Sequence, residues 1–124
     1  MYKISVLFFT IIIVALSATQ SCSKDKTLIP KSSVCDSTKT YTYTIDVKPI
    51  FDVNCASISC HSSIVQASGI NLADYTNSKQ YTENGKVICV MKHTCTPVMP
   101  QGAPKLSDSL IQVVECWAAN GFKN

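Results

Sequence analysis

The chain has 124 residues, with 11 lysines against 8 acidic residues and a net charge of +3, so it holds one domain at most. It contains no arginine, which counts against nucleic acid as a partner, because the guanidinium is the fork that reads phosphates and bases bidentately. Seven cysteines in so small a chain point to disulfides, a metal or a covalent group as the supplement to a modest core.

Met1-Tyr2-Lys3 is a short, positively charged start. An apolar run of 13 residues follows from Ile4 to Leu16, broken by Ser5 and Thr10 and too short to span a hydrocarbon core of roughly 30 Å. Small and polar residues then lead through Ser21 to Cys22, so residues 1–21 read as a secretory signal. Ser21-Cys22, with Thr19 and Gln20 before it, also resembles the looser lipoboxes of Bacteroidota-like lipoproteins. That resemblance implies a diacylated Cys22 anchoring the chain to the cell membrane or outer membrane, facing the periplasm or the surface. The alternative is an ordinary signal cut near Ser17 or Ser21, which leaves Cys22 as a spare thiol. Either route takes the chain to an oxidising compartment. Lipidation would leave an even set of six: Cys35, Cys55, Cys60, Cys89, Cys95 and Cys116.

Residues 22–43 are rich in Ser, Thr and Lys and read as a solvated tether ahead of a domain over 44–124. Tyr41 to Ile45 alternates like a short extended lead-in, with no strand partner visible. Asp46 is expected to cap a short helix with Pro49 in its first turn and Ile50, Phe51 and Val53 on its apolar side, running into Cys55. Residues 56–71 carry six Ser or Gly in a loop-like stretch. A short helix is expected from about Leu72 to Tyr81, closed by the turn signal Glu83-Asn84-Gly85. Lys86 to Lys92 is apolar enough to be buried, but its periodicity does not separate helix from strand. Pro97, Pro100 and Pro104 forbid regular structure over 96–105. The last segment is the clearest. Ser107 caps, Asp108 sits in the positive first turn, and Leu110, Ile111, Val113, Val114, Trp117 and Ala118 recur at helical spacing before Gly121. The expected class is all-α, with few short helices and long loops.

The chemistry concentrates in Cys55-Ala56-Ser57-Ile58-Ser59-Cys60-His61. In a c-type haem site two thiols add across the porphyrin vinyl groups, and the adjoining histidine is thereby held beneath the iron. The usual spacing is C-x-x-C-H. Here four residues separate the thiols, so the intervening loop has to bulge outward. The competing reading is a disulfide or metal-binding pair beside a surface histidine. A second axial ligand is available in Met99-Pro100, 38 residues beyond His61, and methionine there raises the potential of an electron carrier. His93 and Met91 lie close enough in sequence to compete with it.

The run Lys48-Pro49-Ile50-Phe51, Cys55, Cys60-His61, Leu72, Tyr75, Gly85-Lys86, Met99-Pro100, Lys105-Leu106-Ser107, Trp117 and Gly121 resembles the small cytochrome c domains of Bacteroidota and Planctomycetes lipoproteins. The resemblance covers roughly residues 44–124. It implies a class I-like cytochrome c fold around one covalent haem c, with Cys55 and Cys60 as thioether sites, His61 proximal and Met99 distal. It also implies one-electron transfer with redox protein partners, rather than substrate turnover.

The remaining cysteines, Cys35, Cys89, Cys95 and Cys116, would form two disulfides with three possible connectivities. Cys95 with Cys116 would tie the ligand loop to the closing helix. Two rivals stand beside the cytochrome reading. One is a haem-free, disulfide-stapled lipoprotein that serves as a binding module. The other is a copper site from Cys55, Cys60, His61 and Met99, since sulfur and imidazole suit that metal. With two histidines and no orienting partner evident, a hydrolytic triad is unsupported.

Overall fold

The computed structural model describes residues 35–124. The signal expected over 1–21, the lipidation expected at Cys22 and residues 22–34 of the expected tether lie outside the described residues. Within them the fold is helical: α1 (Lys48–Asn54), α2 (Tyr75–Glu83), α3 (Lys86–Met91) and α4 (Asp108–Ala119), joined by long loops. The described residues contain no strand and no helix long and apolar enough to cross a membrane.

α4 organises the core because every local signal in it agrees. The Ser107 hydroxyl accepts from the Leu110 N–H, satisfying a first-turn donor, and Ile111, Val114, Cys116, Trp117 and Ala118 turn one face inward. At the other end Gly121 takes φ +81°, which lets its N–H reach the Ala118 carbonyl while the Phe122 N–H reaches Trp117. This is a Schellman motif, and its apolar contact is the Phe122 ring edge-on to Trp117 at 4.9 Å. An alanine at 121 would meet no atom but would have to hold a left-handed backbone. Gly121→Ala is therefore expected to lower stability by about 1 kcal/mol in a denaturant titration.

Around the fully buried Trp117 stand Tyr43 and Tyr75, with ring centroids at 5.7 and 6.4 Å. The indole Nε1–H donates to the Lys123 carbonyl at 2.7 Å, and the Tyr75 hydroxyl donates to the Phe122 carbonyl at 2.7 Å. Each ring thus buries its body and satisfies its polar end.

The lead-in at 41–45 finds its partner at the chain's far end. Thr42 bridges Lys123 in parallel, and the Tyr43 N–H donates to the Lys123 carbonyl at 2.8 Å. A single π-helical turn over Tyr43–Val47 then passes directly into α1. This overturns two expectations for α1. Asp46 is not its cap: helical winding has already begun upstream, and the carboxylate reaches back to the free N–H of Thr42 and to Lys39. Burial alone would raise its carboxyl, but the Lys39 ammonium and the Thr42 N–H outweigh burial and hold it below the usual range. Val53 is 77% exposed, because so short a helix presents only Ile50 and Phe51 to the core.

α2 begins at Tyr75 rather than near Leu72. The Asp74 carboxylate accepts from the Asn77 N–H at 2.9 Å and fixes the start, while Leu72 is a buried loop residue. Gly85, at φ +76°, turns the chain into α3, which resolves the ambiguity of residues 86–92 as helix. The proline-rich stretch before α4 is loop.

Two disulfides close the structure, Cys35–Cys116 and Cys89–Cys95. The suggested Cys95–Cys116 pairing is not formed. Cys116 sits on the buried face of α4, toward the incoming chain, whereas Cys95 lies one turn beyond α3 and meets Cys89 at its own helix end. Cys35 and the buried Tyr41 also bind residues 35–43 to the domain, a stretch whose composition reads as tether.

Candidate functional site

The thiols and the histidine are brought together by the backbone. Cys55 ends α1, its N–H donating to the Phe51 carbonyl at 2.8 Å. The chain then loops out through exposed Ser57, Ile58 and Ser59, and the His61 N–H returns to the Cys55 carbonyl at 3.0 Å. The four residues between the cysteines thus form a largely exposed, outward-facing loop. A second fold-back completes the platform: the Ala67 N–H donates to the Cys60 carbonyl at 3.0 Å, and the Leu72 N–H to the His61 carbonyl at 2.8 Å.

His61 is half-buried, and its Nδ1 lies 3.3 Å from the Ile70 carbonyl. A carbonyl only accepts, so Nδ1 carries the proton and the lone pair of the neutral ring is on Nε2. A histidine that ligates a metal through Nε2 is held in the same way, by an acceptor on its other nitrogen. The turn that presents Ile70 is unusual: Gln66 and Ser68 both take positive φ, at 45° and 58°, before Gly69. The Ile70 acceptor left no mark in the sequence, because any residue supplies a carbonyl.

Cys55 and Cys60 are both free thiols. Burial pushes the Cys55 thiol up to about 12, and the adjacent Cys60 sulfur adds to the effect. Cys60 is exposed. In the haem-free chain at pH 8 an alkylating reagent is therefore expected to consume Cys60 first. Cys55 should react well over tenfold more slowly than a thiol at the ordinary value, since the smaller thiolate fraction outweighs the greater nucleophilicity of a high-pKa thiolate. Mass mapping of the modified peptides checks this order; equal rates at both sites would contradict it. The same shift carries a sign for stability. The folded-state value lies above the ordinary 9.0, so the contribution of Cys55 is constant below pH 9 and is lost as pH rises toward 12.

Met99 belongs to a second group, built on the end of α3. It is half-buried, and its N–H donates to the Val90 carbonyl at 3.1 Å. His93 directs Nε2 to the Met99 carbonyl at 3.2 Å. Met91 is 1% exposed and sits in the hydrophobic core. Of the large apolar side chains left exposed among the described residues, Ile58, Ile64, Val65 and Val98 lie in the two loops that carry Cys55, Cys60, His61 and Met99.

Among the described residues no group of three His, Cys, Asp or Glu side chains converges as it would to hold a bare ion. A haem iron asks less of the protein, because the porphyrin supplies four equatorial nitrogens and the chain only the axial pair. The donor set here suits that division: two unpaired thiols, an imidazole with its Nε2 lone pair directed by Ile70, a thioether on a braced loop, and apolar side chains on both loops. Comparison with protein-family models, with curated proteins and with solved structures finds no match for this chain.

Proposed function

We propose that the chain is an exported, lipid-anchored c-type cytochrome with a class I-like fold, carrying single electrons between protein partners on one covalent haem. One observation carries the reading. Of the six cysteines in the described residues, four pair with one another and the two that stay as thiols are Cys55 and Cys60, the pair that runs into His61. The outward-facing loop between them and the proton on His61 Nδ1 support it independently.

Haem would supply a one-electron iron couple. Cys55 and Cys60 would hold it through thioethers, His61 Nε2 and the Met99 sulfur would ligate its iron, and Ile58, Ile64, Val65 and Val98 would shield it from water. A thioether ligand and an apolar surround both favour the reduced iron and so a raised potential. With His61 and Met99 both given to the iron, no position on it would be left for a substrate, and the role would be transfer rather than turnover. Cys22 would anchor the domain to the membrane through its acyl chains.

The two disulfides alone suit a second reading, a haem-free stapled module that binds a partner. Colour separates the two. The full chain, expressed with a c-type haem maturation system, should be red, keep its haem in denaturant and give a pyridine haemochrome spectrum. Met99→Ala should retain the haem but lose the weak far-red band of a sulfur–iron bond and show a lower potential. A colourless chain from that system would refute the cytochrome reading and leave the stapled module.

A further inference from the structure

We propose that His93 is a positioning residue that fixes where Met99 presents its sulfur, an inference that rests on the reading of Met99 as an iron ligand. Both main-chain polar groups of Met99 are tied to residues 90–93. Its N–H donates to the Val90 carbonyl at 3.1 Å, and its carbonyl accepts from His93 Nε2 at 3.2 Å. Because the acceptor is a carbonyl, the His93 proton is on Nε2, and that nitrogen is committed to the backbone of Met99 rather than to a metal.

His93 is itself held from several directions. Its backbone is left-handed, at φ +58°, a conformation that side chains with a Cβ rarely adopt, and its N–H donates to Val90 at 3.2 Å. The Cys89–Cys95 disulfide closes the turn around it. Thr94 adds two bonds to the Cys89 carbonyl, from its N–H at 3.1 Å and its hydroxyl at 3.2 Å. The result is a small cross-braced frame whose only side chain bonded to the methionine is His93. A neutral thioether is a weak ligand with no charge to draw it to iron, so its binding depends on the backbone arriving already placed.

The test compares the full chain, matured with haem, with three variants. In His93→Gln the side-chain amide reaches about as far as Nε2 and can donate to the same carbonyl. His93→Asn suits the left-handed backbone but is too short to make the bond, and His93→Ala removes it outright. At equal haem content, the far-red band is expected to be kept in wild type and Gln and to fall several-fold in Asn and Ala. In the haem-free proteins, the Met99 amide should exchange with solvent several-fold faster in Asn and Ala than in wild type and Gln.

A red chain whose Asn and Ala variants match wild type in both readouts overturns the role of His93 alone. A wild-type spectrum without the far-red band that turns high-spin in His93→Ala makes His93 the ligand, and overturns it too. A colourless wild type refutes the cytochrome reading and this inference with it.

Discussion

Replacing Cys55 and Cys60 together by alanine is expected to abolish covalent haem, taking the haem-stained band on a denaturing gel to background. Each single variant should keep one thioether and so remain stained. The effect is all-or-none because these are the only thiols in the described residues outside a disulfide. Cys60 is exposed, and Cys55, which packs against the core at the end of α1, loses only its sulfur, at a cost of about 1 kcal/mol, so the double variant should still fold. Its helical circular dichroism without haem should match that of the haem-free parent. A double variant that still stains would place the attachment elsewhere and refute the assignment of both residues.

The second large effect is on stability. Cys35 and Cys116 are 81 residues apart in sequence, whereas Cys89 and Cys95 are separated by 6. On chain-entropy grounds closing the long loop stabilises by about 4.5 kcal/mol, and the short one by about 2 kcal/mol. Folding free energies of domains are roughly 5–15 kcal/mol, so losing the first bond removes a large share. Cys35→Ala/Cys116→Ala is expected to lower the melting temperature of the haem-free chain by on the order of 20 °C, well beyond the effect of Cys89→Ala/Cys95→Ala. Thermal melts of the two double variants beside the parent decide the ranking. Equal losses would show that loop length does not govern these bonds. The two pairs also divide by role: the long one holds the fold, and the short one frames His93.

α4 was legible in full because its cap, its apolar period and Gly121 are local signals that agree with one another. α1 was legible in place but not at its start, since the π-helical turn before it leaves no composition cue and makes Asp46 an interior residue. Val53 shows the limit of pattern reading in a helix of seven residues, where one more apolar side chain is as easily outside as in. The disulfide partners could not be read, because pairing depends on which segments meet in space. Cys35 lies in a Ser- and Thr-rich stretch that promises no structure at all. At the site, the two thiols and His61 announced themselves through adjacency. The acceptors that orient the rings of His61 and His93 are backbone carbonyls of Ile70 and Met99, and carbonyls carry no side-chain signature.

The tail just beyond α4 has a consequence for timing. The Phe122 carbonyl accepts from the Tyr75 hydroxyl, and the Lys123 carbonyl from the Trp117 indole and the Tyr43 backbone N–H. They lie some eighty residues beyond the lead-in with which Lys123 pairs, so the two ends of the described residues complete one another. The domain therefore cannot close progressively along the chain: until residues 122 and 123 are in place, the Tyr75 hydroxyl and the Trp117 indole lack these acceptors and the Tyr43 N–H its partner. Final packing of the core therefore waits on a long-range pairing between its first and last segments, the kind of contact that forms late because the intervening chain must first be ordered.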